Sequence, residues 1–576
     1  MAELVQPTGG KTFFGHPRGL STLFFTEMWE RFSFYGMKAM LFLFVTAAIV
    51  EGPQAGLGIG EETGGAIAGL YNSFVYLLAL PGGWLADRLI GQRRAVLWGG
   101  IIIACGHYSM AATTINVGFF YLGLILIVAG TGLLKPNIST MVGELYAGDM
   151  GARRDAGFSI FYMGINIGAF LAPIFCGQVR EWFGWHYGFG LAGVGMTFGV
   201  IWYVLDGKWL GNAGIEPKSD PAERVKARRL AIVAGVGVSG FIALMTALHV
   251  GQVITLTWTG VADVVGGATL VVVGLYLAMV AVEVAPAESR ARARTAVGGV
   301  TGAVLVLVAA ASFLLNDGAF SVSRLLLWET YGIWSLMALL GFYLGLTKGE
   351  SWGAAKKVVV IGVLFVFTAL FWSGFEQAST SLNAFARDYT DRLLFGWEMP
   401  VEYLQSVNPL FIIALAPVFG AMWIRMASKN MNPNIPLKFA LGLIQLGMGF
   451  LVIMFAARLA GGGAIDVNYA GEQQLVMPTW LCMMYLLFTT GELCLSPIGL
   501  STITKLAPEK FVSQMMGIWF IAAALGNLIA GRVGGMIESL PDASIFMTVA
   551  LITGGGGLLM LLISPFIQRR MMGNVR

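Results

Sequence analysis

The first long apolar segment of the chain contains the stretch Glu27-Met-Trp-Glu30-Arg31-Phe-Ser-Phe-Tyr35-Gly-Met-Lys38. A charged side chain at bilayer depth costs about 2.5 to 3.5 kcal/mol on insertion scales, so such residues usually face a bundle interior or an aqueous cavity. At 3.6 residues per turn, Glu27, Glu30 and Arg31 share one helix face, which Tyr35 and Lys38 continue. This polar stripe predicts a pathway for ions or substrate.

An alternative interpretation places the stripe in the lipid headgroups, as an interfacial turn whose carboxylates are favoured by the helix dipole. Lys38 lies eleven residues beyond Glu27. At 1.5 Å per residue that separation is roughly 16 Å, which is too long for one turn at the membrane surface. The position inside the membrane is therefore favoured.

Composition indicates the protein class. The chain has 576 residues, of which 57% are hydrophobic and 12% charged, and its mean hydropathy is +0.75. Such a chain is too apolar for a soluble protein and is long enough for about a dozen or more membrane spans. Its 78 glycines agree with close helix packing in lipid. We predict an all-α polytopic membrane protein.

The cysteines and the N-terminal residues give two further expectations. The four cysteines lie in apolar runs without CxxC spacing, so we expect buried thiols, with no disulfide and no metal site. The first nineteen residues are polar and basic and do not resemble a signal peptide, so the first span is expected to stay in the protein.

Apolar runs of about twenty residues predict two six-helix bundles, at residues 1–207 and 356–576. The first six runs lie near 20–50, 66–88, 95–115, 117–143, 157–178 and 188–206, and the second six near 357–384, 407–427, 436–458, 477–500, 513–538 and 544–567. Basic residues cluster in every second loop. The positive-inside rule then places both termini in the cytoplasm.

The central region, residues 208–355, contains further apolar runs. Two of them, near 229–249 and 261–287, are expected to be inserted helices. Two more, near 295–316 and 331–347, would cross the membrane or lie against the bundle. Because the loops on both sides of the region are basic, the number of crossings must be even.

The loop between spans two and three reads Gly83-Trp-Leu-Ala-Asp87-Arg88-Leu-Ile-Gly91-Gln-Arg93-Arg94. It resembles the loop motif of the major facilitator superfamily, whose members place their sites between repeats. Asp87 and Arg88 would then hold neighbouring helix ends as part of a gate. As chemistry alone, the motif is a charged tight turn.

Other charges inside the spans divide by sign between the halves. The first half supplies Arg31, Lys38 and Lys135, and the second supplies the acids Glu376 and Glu492. Lys135 could pair with Glu27 or Glu30, in a structural salt bridge or a functional one. A cavity between the halves would suit a zwitterion such as a peptide. Amino acids and other small zwitterions satisfy the same charge argument.

Several motifs together resemble the proton-dependent oligopeptide transporter family, in both halves and in the same order. They are Glu27-x-x-Glu30-Arg31-Phe-x-x-Tyr35-Gly, Gly-Leu-Leu-Lys135-Pro-Asn, Phe158-Ser-Ile-Phe-Tyr162-Met-Gly-Ile-Asn166-Ile-Gly, Asn408-Pro-Leu-Phe and Gly-Glu492-x-x-x-Ser496-Pro-x-Gly-Leu-Ser. The resemblance implies import of di- and tripeptides with protons by alternating access. Bacterial members often carry two extra helices between the halves.

The resemblance also implies roles for single residues. Proton coupling would fall to Glu27, Glu30 and Arg31. Peptide binding would involve Tyr35, Lys38, Tyr76, Lys135, Asn166, Asn383, Glu492, Ser496 and Trp519, with the lysines facing the peptide carboxylate and Glu492 its amine. Lys38 and Glu376 would form an extracellular gate.

Three positions depart from the family pattern. Phe34 stands where the family often has the first tyrosine of a pair. Lys38 stands where the family often has arginine, and lysine lacks the planar guanidinium that binds a carboxylate through two hydrogen bonds. Animal members carry a histidine in span two, and this chain has none there. We therefore expect protons to travel by carboxylate.

The residues also suggest a coupling hypothesis. A glutamate paired with Lys135 or Arg31 stays ionised, and it takes up a proton more readily if the peptide carboxylate captures that cation. Proton and peptide binding then favour each other, and this coupling must be reciprocal.

Other function classes are disfavoured by the sequence. It shows no His pair, phosphate-binding glycine loop or Ser/His constellation at membrane depth, so we do not expect an enzyme. A carrier of another zwitterion or anion, such as an amino acid, nitrate or a peptide-like drug, is the main alternative. We expect no cofactor besides the coupling proton, no nucleic acid partner, a monomer in lipid, and a bacterial inner-membrane location.

Overall fold

The computed structural model describes residues 12–146, 151–215, 217, 219–291, 294–295, 334, 352–460, 475–538 and 542–573. Within these residues nearly all regular structure is helical, and a short hairpin pairs Leu393–Leu394 with Trp397–Glu398. The helices agree with the long apolar runs of the sequence.

The helices are numbered here in chain order. They are α1 Gly19–Thr46, α2 Glu61–Leu77, α3 Ala79–Leu85, α4 Gln92–Ala111, α5 Gly118–Glu144, α6 Ala152–Phe183, α7 Trp185–Asp206, α8 Pro221–Val250, α9 Trp258–Glu283, α10 Gly353–Phe375, α11 Ser381–Asp388, α12 Val407–Ser428, α13 Ile435–Leu459, α14 Thr479–Leu506, α15 Val512–Gly534 and α16 Asp542–Phe566. All twelve predicted spans and the two firm inserted helices are present. Of the runs near 295–316 and 331–347, only residues 295 and 334 are among the described residues.

Length and composition allow thirteen segments of the described chain to cross a membrane. Helix α1 is a further helix of 28 residues, in which the polar stripe interrupts the apolar sequence. The protein is therefore an integral membrane protein with many helices.

Two spans are broken where a single helix was expected. Helix α2 ends at Leu77, because Pro81 lacks the backbone N–H that would bond to the Leu77 carbonyl. The seventh span changes from α10 to a short 3₁₀ turn, Glu376–Ser379, before α11 begins. Both breaks lie beside residues that the sequence analysis assigned to the site, Tyr76 and Glu376.

The chain divides into two compact units. The first contains the described residues up to Gly60, Phe74–Leu256 and Arg392–Ala414. In its core, α1 packs on α6 and α7, and α4 packs on α5 and α7. The ring of Phe44 contacts those of Phe120 and Phe189 there. This unit thus includes a short segment from the second half of the sequence.

The second unit contains Glu61–Ser73, Thr257–Asp391 and the described residues from Leu415 onward. Its helix α13 packs on α14 and α16, and α10 packs on α15. The rings of Phe450, Phe488 and Phe546 meet in its core. The inserted helix α9 packs on α10 and α15 of this unit.

In the first unit, α3 crosses α5 at the glycine pair Gly82 and Gly132. A Cβ atom at Gly82 would stand 2.0 Å from the Gly132 carbonyl oxygen. That carbonyl lies four residues before Pro136, which has no N–H to bond to it. The crossing therefore fixes the helix segment that carries Lys135.

We expect Gly82→Val to lower the free energy of unfolding by about 3 kcal/mol or more, because two backbones would have to separate. The matched control is Gly83→Ala, whose Cβ would meet Pro136 Cβ at an ordinary 3.5 Å. Thermal unfolding of the purified proteins in detergent measures both effects. Equal losses in the two variants would contradict the close crossing.

Candidate functional site

The polar stripe of α1 forms a buried ion cluster in the first unit. Arg31 Nη2 donates to Glu30 Oε1 at 2.6 Å, and Arg31 Nε donates to the other oxygen of the same carboxylate. Arg31 Nε also lies 3.2 Å from Glu27 Oε1. All three side chains are at most 3% exposed. The structure therefore brings the three predicted coupling residues together.

The two glutamates of the cluster have different partners. Glu30 accepts both hydrogen bonds of the Arg31 fork, whereas Glu27 contacts the guanidinium through a single oxygen. The second oxygen of Glu27, Oε2, is buried and has no hydrogen-bond partner in the described part of the chain. Glu30 thus holds the arginine, and Glu27 keeps an oxygen that can take a proton.

Phe34 lies between two cations on α1. Its ring centroid is 5.0 Å from Arg31 Cζ and 5.8 Å from Lys38 Nζ. The ring of Tyr35 lies 6.0 Å from the same lysine nitrogen. An aromatic face attracts a cation at such distances, so Phe34 interacts with both. This role was not predicted from the sequence, although the spacing of Phe34 to Arg31 and Lys38, three and four residues along one helix, indicates it.

Lys135 projects from α5 beside the broken second span. Its Nζ lies 4.0 Å from the centroid of the Tyr76 ring. Lys135 also interacts electrostatically with the carboxylate of Glu27. In the same unit, Asn166 is buried and donates to the Tyr162 carbonyl at 2.9 Å. Two predicted peptide-binding residues, Tyr76 and Lys135, are therefore in contact.

The Asp87 loop has the geometry of a charged turn in the first unit. Gln92 Nε2 donates to Asp87 Oδ1 at 3.2 Å, and Gly91 has a positive φ of 80°. Arg88 Nη1 pairs with Glu223 on α8 at 2.7 Å, and both side chains are more than one-third exposed. The gating role of Asp87 and Arg88 remains a prediction.

The second unit holds the remaining predicted residues. Glu376 is buried in the 3₁₀ turn after α10, and Asn383 is buried on α11. Glu492 is buried on α14, and the Ser496 hydroxyl on the same helix is buried without a partner among the described residues. The acids assigned to the second half therefore occupy buried positions.

Trp519 packs where a glycine leaves room for its ring. It is buried on α15, and its ring centroid lies 6.3 Å from that of Phe439. A Cβ atom at Gly499 would stand 1.8 Å from Trp519 Cη2. The indole thus depends on Gly499, a pairing that the sequence analysis did not identify.

A buried ion pair in the first unit was not predicted from the sequence. Arg180 at the end of α6 donates to Glu402 through Nε at 2.9 Å and through Nη2 at 2.7 Å. Glu402 lies in the 3₁₀ turn Val401–Ser406 and is 0% exposed. The two residues are 222 positions apart in the chain, and neither belongs to a recognised motif.

Comparisons of the sequence and of the structure with known proteins lead to one family. The profile described as "POT family" matches residues 93–259 and 342–549. The peptide transporter YePEPT of Yersinia enterocolitica is 39% identical, over 99% of this chain and 98% of that protein. A di-/tripeptide transporter of Lactococcus lactis subsp. lactis is 33% identical, over 98% of each chain.

Solved structures that resemble this chain belong to the same family as these relatives. A crystal structure of the peptide transporter POT in complex with sulfate shares 36% sequence identity and a TM-score of 0.71, and covers 98% of this chain and 97% of that one. A POT family transporter in complex with 5-aminolevulinic acid has a TM-score of 0.73 at 31% identity, over 97% and 98% of the two chains. The fold predicted from the sequence, that of the major facilitators, is confirmed.

Proposed function

Because this chain belongs to the POT family, we propose that it imports di- and tripeptides together with protons, by alternating access. The peptide and di-/tripeptide transporters that it resembles along nearly their whole length support this substrate class. The observation that carries the proposal is the buried cluster of Glu27, Glu30 and Arg31, with Lys135 close enough to interact with Glu27. Such charges inside a membrane protein indicate an ion or substrate pathway.

The charge on each unit supports binding of a zwitterion. In the first unit, Lys38 and Lys135 supply cations for the peptide carboxylate. In the second unit, Glu492 supplies an acid for the peptide amine, and Glu376 is a candidate for the gate with Lys38. The amides of Asn166 and Asn383 can bond to peptide groups without selecting a side chain.

Proton coupling follows because the peptide carboxylate and Glu27 compete for Lys135. When a peptide carboxylate engages Lys135, Glu27 loses part of the positive field that favours its charged form. Its Oε2 atom then accepts a proton, while Glu30 continues to hold Arg31. Proton and peptide thus favour each other's binding, and reciprocity is required by linkage.

We place the protein in a bacterial inner membrane with both termini in the cytoplasm, as the basic loops indicate. It works as a monomer in the bilayer, uses the proton as its coupling ion, and needs neither a cofactor nor a nucleic acid. It transports its ligand without converting it chemically.

Uptake of a labelled dipeptide into proteoliposomes tests the proposal. Under an inward proton gradient we expect accumulation that collapses when a protonophore is added. Unlabelled dipeptide should compete, whereas free amino acids and an N-acetylated dipeptide should compete at least tenfold more weakly. Absence of dipeptide uptake by demonstrably folded protein would contradict the assignment.

Glu492→Gln separates peptide import from the alternative of anion transport. An anion such as nitrate needs only the cationic residues, so its transport would survive this substitution. Dipeptide uptake should fall at least tenfold, because the amine loses its charged partner. Glu509→Gln, at an exposed position in the same unit, is the matched control. Equal dipeptide uptake by the two variants would exclude the amine contact.

A further inference from the structure

Two cavities on the first unit share a boundary and form one groove. The apolar cavity has a volume of about 210 Å³ and lies between α1, α6 and α7, among Met28, Phe32, Phe175 and Phe198. A larger cavity of about 780 Å³ lies at the start of α7. Leu191 and Val194 line both cavities, so the two adjoin along α7.

The groove is apolar at one end and polar at the other. Its apolar end exposes only non-polar surface, and Gly195 leaves room there because an added Cβ would stand 2.5 Å from Phe32 Cδ1. Its wide end, the mouth, includes Tyr108, Thr114 and His186. The Nδ1 atom of His186 is buried without a hydrogen-bond partner in the described part of the chain. The shape therefore fits an amphipathic ligand.

The length of the groove matches one leaflet of a bilayer. From His186 at the mouth to Phe198 at the apolar end is twelve residues of α7, or roughly 18 Å at 1.5 Å per residue. Half of a typical hydrocarbon core is about 15 Å. Trp182, Phe183 and Tyr187 are exposed beside the mouth, as aromatic residues are at a membrane interface.

The charges near the mouth indicate the headgroup. None of the described residues that line the mouth is charged. Glu51, next to the lining residue Gly52, is exposed, and the side chain of Glu181, between the lining residues Val179 and Phe183, is 47% exposed. Arg180 pairs with Glu181 at 2.6 Å, but the same guanidinium also pairs with the buried carboxylate of Glu402 at 2.7 Å. The acids Glu51, Glu181 and Glu402 therefore outnumber this arginine, and their excess negative charge attracts an ammonium and repels an anionic headgroup.

We propose that this groove binds a phosphatidylethanolamine molecule of the surrounding membrane. One acyl chain fills the apolar end, and the ester and phosphate groups lie at the mouth beside Tyr108, Thr114 and His186. The ammonium points toward the acids. The occupant comes from the bilayer, because α7 exposes the apolar side chains Phe198, Ile201 and Val204, as a helix facing lipid does, and the groove is about one leaflet long.

Native mass spectrometry of Val194→Trp tests the proposal. Val194 lines both cavities and is 39% exposed, so an indole there blocks the groove without entering the core. The control is Val204→Trp, at a residue on the same helix that is 59% exposed and lies outside the groove. After delipidation and addition of dioleoyl-phosphatidylethanolamine, we expect wild type and V204W to retain one lipid and V194W to retain at least tenfold less.

A parallel titration with dioleoyl-phosphatidylglycerol tests the headgroup. We expect weaker retention of this anionic lipid, and a smaller preference for phosphatidylethanolamine in Glu181→Gln. Equal lipid retention by V194W and V204W, or adducts of detergent only, would overturn the site. Equal retention of the two lipids by wild type would overturn the headgroup assignment. Dipeptide uptake by V194W shows separately that the variant is folded.

Discussion

Arg180→Met is expected to lower the free energy of unfolding by about 3 to 5 kcal/mol, since it leaves the carboxylate of Glu402 buried without its cation. Glu402 is 0% exposed and accepts two hydrogen bonds from the Arg180 fork. Glu402→Gln is expected to cost less, about 1 to 3 kcal/mol. In that variant Arg180 keeps its pair with Glu181 at 2.6 Å and its contact with the Trp185 ring at 5.0 Å.

Thermal and denaturant unfolding in detergent measure these differences. The control is Glu398→Gln, which removes an ion pair with Arg392 whose glutamate side chain is 68% exposed, and should cost at most about 1 kcal/mol. The double variant Arg180→Met/Glu402→Leu should recover most of the loss, because no buried charge remains. Arg180→Met as stable as Glu398→Gln would show that the pair contributes little.

The ion pair anchors a segment of the second sequence half inside the first unit. Two further contacts act on the same turn, Val401–Ser406. Ser406 Oγ donates to the Phe170 carbonyl at 2.8 Å, and Tyr403 Oη donates to Gln178 Oε1 at 2.9 Å. All of these partners lie on α6. The start of α12 is therefore tied to α6 by both charge and hydrogen bonds, and the ion pair is the strongest of these contacts.

The spans could be predicted because membrane insertion is decided locally, by runs of apolar residues of sufficient length. The α1 cluster could be predicted for a similar reason, since helix periodicity alone brings Glu27, Glu30 and Arg31 together. In contrast, the Arg180–Glu402 pair joins positions 222 residues apart, and no local pattern indicates it. The Trp519–Gly499 contact also depends on packing between different helices, α14 and α15.

Glu27→Gln is expected to lower gradient-driven dipeptide accumulation at least tenfold, while exchange of dipeptide across the membrane continues. Glutamine keeps the shape of the side chain but cannot be protonated within the working pH range. Arg31 retains both hydrogen bonds to Glu30, so the loss of stability should stay within about 1 kcal/mol. Driven uptake and counterflow in proteoliposomes, with Glu509→Gln as control, separate coupling from transport.

Glu30→Gln should behave differently, because Glu30 is the fork partner of Arg31. Its removal leaves Glu27 Oε1, at 3.2 Å, as the one carboxylate contact of the guanidinium among the described residues, beside the Phe34 ring at 5.0 Å. Both exchange and stability should therefore fall, the latter by about 3 kcal/mol. In the wild type, Glu30 therefore neutralises the Arg31 guanidinium even when Glu27 has taken up a proton. If Glu30→Gln keeps exchange and stability while Glu27→Gln loses them, the roles of the two glutamates are reversed.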